Sequence, residues 1–383
     1  MNENLVPKIV AFVEVLIPIT KCNIKCHYCY VVQRENRTNH HTSLPSPNVI
    51  AEALSVKRFG GNAYISLCGA GETMLTPELE EIVFALLKEG HFVNVTTNGI
   101  ITKSFERFET LAIEHPELTR RLNFSFSLHH LELERSKSYQ RFWDNVRRVK
   151  RFGASFVVQI NLCDEYEPYL EKIKEDCLNN VGAYPQVAAT RDEKDMTKDV
   201  RLFTTHSQKE YEAIGKTFNS PLFEFTMRNF MVKRKEFCFA GRLSYVLNLS
   251  TGIIKPCYCS FNYQNIYEDI SKPIKLFPVG KYCQSPFCMN SSHFISLGTI
   301  PEYSGAPTYA SLRNRQCSDG SEWYTPEFKE MASQKLYENV DMTLTFNDRI
   351  HICYYGIKSY WVKKISAILP KNAVKSIKTI IRK

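Results

Sequence analysis

The run Cys22-Asn23-Ile24-Lys25-Cys26-His27-Tyr28-Cys29 sets three thiols at three-residue and then two-residue spacing. Thiols at that density read as metal ligands. A cubic iron–sulfur cluster ordinarily takes four thiolates. Three would hold three of its irons and leave the fourth open to a small molecule that chelates through nitrogen and oxygen. A zinc knuckle is the competing reading, since zinc wants a fourth Cys or His and His27 lies inside the run. More cysteines follow late in the chain. Cys238 and Cys257 bracket two short apolar stretches, Ser244 to Leu249 and Ile253 to Lys255, around Ser250-Thr251-Gly252. That is the pattern of a hairpin with glycine at its tight turn, and a hairpin brings its flanks together. Cys283 and Cys288 come after a gap.

A scaffold must hold these groups, and the apolar periodicity supplies one. Ala11 to Ile19 is predicted as a strand ending just before the cysteine run. Val31 to Pro47 is a polar loop in which His40 and His41 are solvated. A helix is expected from Pro47 to Phe59, stopped by Gly60-Gly61. Strands are predicted at Ala63 to Cys68, Phe92 to Thr97, Leu122 to Leu128, Phe156 to Leu162 and Pro185 to Ala189. Helices fall between them: one capped by Thr76 and Pro77 with Leu79, Ile82, Val83, Leu86 and Leu87 on one face, then Lys103 to Ile113, Ser138 to Phe152 and Glu167 to Leu178. Strand and helix alternate about six times, which favours a parallel sheet wrapped by helices, with function at the carboxyl ends of the strands.

Four polar motifs fall at those ends. Ala70-Gly71-Glu72-Thr73 follows the second strand, Thr96-Thr97-Asn98-Gly99 ends the third, Ser127-Leu128-His129 ends the fourth, and Asn161 ends the fifth. Together with the CxxxCxxC run and its aromatic Tyr28, they resemble the radical S-adenosylmethionine (radical SAM) superfamily. The resemblance covers about residues 10 to 295. It implies an α/β fold, an open (β/α)6 partial barrel, with a [4Fe–4S] cluster on Cys22, Cys26 and Cys29 whose open iron chelates SAM. It further implies that Gly71 and Glu72 meet the methionine amine, that Asn98 stands in the Thr-Asn-Gly motif, and that Ser127 reaches the ribose or carboxylate. Tyr28 is expected near adenine and Asn161 near the nucleoside. Ala70, Thr73 and His129 depart from the family's Gly, Pro and Asp, and His129 is expected as a surface residue at the end of its strand, with a catalytic role as the alternative. The sequence singles out no catalytic acid or base.

The later cysteines resemble the SPASM and twitch extensions of that superfamily, small α+β units rich in cysteine. The dense CxxC run of the full pattern is missing, so one auxiliary [4Fe–4S] cluster is expected, on Cys238, Cys257, Cys283 and Cys288. Cys259 is a near alternative and His293 a distant one, and structural zinc is the competing occupant. Cys68, Cys163, Cys177, Cys317 and Cys353 lack metal spacing and are expected as buried thiols.

Composition bounds the rest. The 383 residues are 44% hydrophobic and 23% charged, ordinary for a globular protein of one large and one smaller domain. The expected division is a partial barrel over 1–200, a linker over 201–235, the auxiliary unit over 236–300 and an extension with a helical basic tail over 301–383. No secretory signal is seen, and 13 cysteines then point to a reducing cytoplasm rather than to disulfides. The net charge of +9 sits at one end: nine of the 49 Lys and Arg and none of the 40 Asp and Glu lie beyond Asp348. The body is balanced, which argues against a nucleic-acid substrate. Trp361, Ile365, Ile368 and Leu369, then Ala373, Val374, Ile377, Ile380 and Ile381, place apolar faces opposite Lys371, Lys375, Lys378 and Arg382. Such a tail suits contact with the inner face of a membrane, packing on the body, or an acidic partner.

The expectation is thus a radical SAM enzyme, served by a reducing electron donor. It would act first on a peptide or protein, with oxidation or epimerisation of a carbohydrate-type substrate as the alternative. The alternative of another class is an iron–sulfur or zinc protein that never cleaves SAM.

Overall fold

A computed structural model describes residues 6–40, 43–194, 200–258 and 260–368. Cys259 and the basic segment from Leu369 onward lie outside the described residues, so the alternative ligand and most of the tail are not placed.

Six strands lie side by side in chain order, each parallel to the next: β1 (Ile9–Ile17), β2 (Asn62–Gly69), β3 (Phe92–Thr97), β4 (Leu122–Ser127), β5 (Ser155–Leu162) and β6 (Gln186–Ala189). Helices cross between them, including Leu79–Lys88, Thr102–Glu114, Tyr139–Arg151 and Leu170–Val181. The strands turn one apolar face outward, and the helices cover it. Val13, Val15, Ile65, Leu67, Val93 and Val95 have no exposed surface, and each such side chain contributes about 1.5–3 kcal/mol of burial.

The hairpin joins this sheet instead of standing apart. Its first strand, Ser244–Asn248, pairs in parallel with β1, Phe12 opposite Ser244 and Leu16 opposite Asn248. Its second, Ile253–Lys255, turns back antiparallel at Gly252, whose φ is 70°. The result is one open, mixed sheet of nine strands. Residues 201–235, expected as a linker, hold two helices. Gln208–Lys216 starts at a Ser207–Glu210 capping box, and Pro221–Asn229 buries Leu222, Phe223, Phe225 and Met227 beside β6.

Two helix starts differ from expectation. Pro47 to Phe59 splits at Leu54-Ser55 into Pro47–Ala53 and Val56–Phe59. Thr76 and Pro77 do not cap a helix. The Glu72 side chain accepts the Met74 amide and caps the short turn Thr73–Leu75, so the helix begins only at Leu79, after Glu78 with φ 55°.

The extension after residue 300 seals the amino ends of the strands. Tyr64 donates its hydroxyl to Tyr309 at 2.9 Å, Phe328 packs on Tyr64 and Phe92, and the Phe156 amide donates to the Trp323 carbonyl at 3.1 Å. The long helix Phe346–Ile368 follows. Among the described residues no helix is long and apolar enough to cross a membrane.

Candidate active site and second thiol site

The cysteine run leaves β1 at its carboxyl end and is clamped there by backbone. The Gly71 amide donates to the Ile19 carbonyl at 2.5 Å and the Glu72 amide to the Lys21 carbonyl at 2.9 Å. Only glycine permits that approach: a Cβ on Gly71 would sit 2.1 Å from the Lys21 oxygen. Glu72 is buried, and burial raises its carboxyl pKa above the ordinary value. Hydrogen bonds from the Thr97 hydroxyl (2.6 Å), the Asn98 amide (2.8 Å) and the Met74 amide (3.0 Å) oppose that rise. Glu72 thus spends its carboxylate on tying the β2 turn to the end of β3. Asn98 donates to Asn23 Oδ1 at 2.7 Å and reaches Cys22 Sγ at 3.9 Å. Arg37, which the sequence did not mark, donates to the Cys22 carbonyl.

Cys22, Cys26 and Cys29 line one cavity of about 260 Å3 together with Tyr28, Gly71, Glu72, Asn98, Ser127, His129 and Asn161. Every residue expected around the cluster and SAM therefore meets in one place, carried by the ends of β1 to β5. His129 is half-buried rather than exposed. Its Nδ1 lies 2.6 Å from the Tyr28 hydroxyl, which in turn lies 3.0 Å from that of Tyr166. Burial holds the His129 pKa down to about 4, so the ring is neutral at ordinary pH. Burial also raises the Cys22 and Cys26 thiols, so taking a metal there must release protons.

The four later cysteines also meet. Cys238, Cys257, Cys283 and Cys288 line a second cavity of about 70 Å3, closed by Phe277, Phe287 and Tyr355. Cys238 is fixed by paired backbone hydrogen bonds with Gly280, of 3.1 and 2.9 Å. Burial pushes its thiol up to about 12, and Cys283 beside it adds to the shift; the Cys288 thiol is raised for the same reasons. His293 does not line this cavity, so it is not an alternative ligand there. It contacts Asn290 Oδ1 at 2.5 Å and is held neutral by burial and by Arg313. Of the remaining thiols, Cys163, Cys177 and Cys317 are buried as expected, Cys68 is half-buried, and Cys353 is exposed on the long helix.

Among the described residues no three of these seven sulfurs all lie within 4.8 Å of one another. A tetrahedral zinc with Zn–S of about 2.3 Å would hold its sulfurs about 3.8 Å apart. A cubic cluster carries each thiolate on a separate iron and spreads them wider.

Residues 16–176 match the family model described as the Radical SAM superfamily. This part of the chain is a radical SAM catalytic domain. The radical SAM domain accounts for the three-thiol cavity, while the four-thiol cavity lies wholly beyond the matched residues. Curated relatives from two Methanococcus species carry the name "Probable GTP 3',8-cyclase". One, from Methanococcus maripaludis, is 33% identical over 86 residues, 22% of this chain and 28% of the relative. The other, from Methanococcus vannielii, is 33% identical over 82 residues, 21% and 26% respectively. The chain thus matches little more than a quarter of their length. Among solved structures, anSMEcpe with bound AdoMet is 14% identical over 68% of this chain and 79% of that one, with a TM-score of 0.47. SuiB of Streptococcus suis is 13% identical over 68% and 64%, with a TM-score of 0.46.

A third cavity, of about 560 Å3, lies between the two thiol sites. It shares Ser127, Thr96 and Arg191 with the first and Tyr258, Cys288 and Asn290 with the second. Its wall is the inner face of the sheet, reached by alternate residues: Glu14 and Leu16, Ser66 and Cys68, Asn94 and Thr96, Ser125 and Ser127. Glu14 sits mid-strand in β1, where burial raises its carboxyl; Tyr258 and Asn290 (2.6 Å) donate to it. The sequence reading passed over this cavity. Its one local signal was an acid at the centre of an otherwise apolar strand.

Proposed function

We propose that this chain cleaves SAM reductively and abstracts a hydrogen from a substrate carbon in the 560 Å3 cavity. The observation that carries the reading is the meeting of Cys22, Cys26 and Cys29 with Gly71, Asn98, Ser127 and Asn161 around one cavity beside a larger one. A [4Fe–4S] cluster on the three thiols, with SAM on its open iron, would supply the electron and the 5′-deoxyadenosyl radical. The chain's own part is geometric. Gly71 lets the β2 turn lie against the cysteine loop, Glu72 and Asn98 fix the end of β3 to it, and Ser127 and Asn161 stand on the neighbouring strand ends to orient the nucleoside. Tyr28, His129 and Tyr166 form a neutral hydrogen-bonded wall that keeps bulk water from the adenine side.

Cys238, Cys257, Cys283 and Cys288 would hold an auxiliary [4Fe–4S] cluster, with structural zinc the competing occupant. A peptide or protein side chain is the substrate class we favour. The third cavity falls within the usual range for ligand pockets, roughly 300–1,000 Å3. Its guanidinium-rich wall does not favour a neutral carbohydrate-type alcohol. The domain division at about residues 200, 235 and 300 stays part of the reading, although the hairpin shares the main sheet. A cytoplasmic site, with the basic tail at the membrane face, is carried by composition alone.

The test is anaerobic reconstitution with iron and sulfide, followed by SAM and a strong reductant. The account expects 5′-deoxyadenosine. A fully iron-loaded protein that forms none would refute it.

A further inference from the structure

We propose that the 560 Å3 cavity selects a substrate bearing a free carboxylate, which Arg313 receives through its guanidinium. The inference deepens the reading above and rests on it for the identity of the cavity.

Arg313 ends the short helix Tyr309–Arg313, in the extension beyond the radical SAM domain. It is 5% exposed and lines the cavity. A buried guanidinium normally faces a carboxylate, because an unpaired buried charge is costly. Among the described residues, no carboxylate oxygen lies within 4 Å of Arg313. Its partners are neutral. Nη2 meets the Ser292 hydroxyl at 3.0 Å and the His293 ring nitrogens at 3.2 and 3.3 Å. Nη1 reaches Gln159 Oε1 only at 3.4 Å, and Nε is buried with no partner. The guanidinium carbon lies 4.8 Å from the centroid of the Tyr309 ring, which braces it from behind.

The other charges around the cavity do not cancel it. Arg34 and Arg191 both bind Glu193, Arg191 at 2.9 Å. Glu14 is committed to Tyr258 and Asn290. Among the described residues three guanidiniums thus face two carboxylates, and the neutral His293 adds nothing. Among the described residues the cavity keeps an excess positive charge, and Arg313 makes no direct contact with an acid: Glu14, which feels its charge, is hydrogen-bonded to Tyr258 and Asn290 instead. Arg313 does not line the SAM cavity, whereas Arg191 does. The missing anion therefore belongs to the substrate side rather than to the carboxylate of SAM. A C-terminal carboxylate, or an Asp or Glu side chain of a peptide, has the planar shape that a guanidinium binds with two parallel hydrogen bonds.

The probe is N-trifluoroacetylglycine against its amide, titrated into the reconstituted holoprotein with SAM and followed by fluorine NMR. The acid should bind and the amide should bind at least about tenfold more weakly. Arg313→Gln should weaken the acid by a similar factor, and Arg313→Lys, which keeps charge but loses the fork, by less. Iron content of each variant reports folding independently. Equal binding of acid and amide, no binding of either, or unchanged binding by iron-loaded Arg313→Gln would each overturn the proposal. A wild-type protein that binds the acid at Arg313 yet forms no 5′-deoxyadenosine would sink the radical reading and leave the carboxylate site standing.

Discussion

The two thiol sites differ in what they leave over. The first has three cysteines around about 260 Å3, with polar strand ends on every side. The second has four around about 70 Å3, with Phe277, Phe287 and Tyr355 among its walls. A cube of four irons would be one thiolate short in the first and saturated in the second. The first would also leave more space for another molecule beside a metal. On the proposed reading, ligand number and free volume point the same way: the first site would admit a ligand and the second would not. The contrast has a source in the fold. The first site hangs on loops at the carboxyl ends of parallel strands, where backbone turns can part. The second is wedged between a hairpin edge, the loop 281–290 and the long helix Phe346–Ile368.

Removing thiols should break the comparison most severely. Replacing Cys22, Cys26 and Cys29 by alanine should abolish 5′-deoxyadenosine formation and cut iron from about eight to about four per chain. Replacing Cys238 and Cys257 should cost the same iron yet leave uncoupled SAM cleavage measurable. Equal loss of cleavage in both variants would erase the functional difference between the sites. Zinc rather than iron lost from the second variant would reassign that site.

The clamp on the first site comes next. Gly71→Ala drives a methyl group into the Lys21 carbonyl, and the cysteine loop must move. Iron at the first site and SAM cleavage should both fall by roughly tenfold, read in the variant lacking Cys238 and Cys257, while iron at the second should be unchanged, read in the variant lacking Cys22, Cys26 and Cys29. Glu72→Gln is milder. The amide keeps one acceptor oxygen where the carboxylate offers two to Thr97, Asn98 and Met74. Loss of about 1–3 kcal/mol of stability is expected in denaturant unfolding.

The smallest effect concerns pH. His129 is held neutral, with a pKa of about 4. Its folded value is below that of the unfolded chain, so the unfolded state takes the proton first. Its contribution to stability is complete above about pH 6.5 and erodes as pH falls toward 4. SAM affinity should accordingly show no inflection near pH 6.5 that His129→Gln removes; such an inflection would mean that the ring titrates normally and that the first site is wetter than described.

Much of the first site was legible because its parts are local. Three cysteines lie in one loop, and the glycine turn and the Asn98 and Ser127 positions each sit at the end of a strand whose apolar run is plain. The ends of β3 fell where periodicity put them, and β1 moved by two residues. What stayed hidden was made by distance. Arg313 and Glu14 come to one cavity from opposite ends of the chain, and no spacing rule joins them. The extension that supplies Arg313 resembles nothing recognised in the sequence, although it packs Tyr309, Trp323 and Phe328 into the core. His129 was misplaced because a strand-end histidine usually faces water; here Tyr28, 101 residues away, takes it inward.

The difference between the sites can be tested in one experiment. Each cluster is isolated in the variant lacking the other's cysteines, reduced, and examined by electron paramagnetic resonance before and after SAM is added. The account predicts that SAM alters the spectrum of the protein retaining Cys22, Cys26 and Cys29, and leaves unchanged that of the protein retaining Cys238, Cys257, Cys283 and Cys288. A SAM-dependent change at the four-cysteine site, or none at the three-cysteine site, would contradict it.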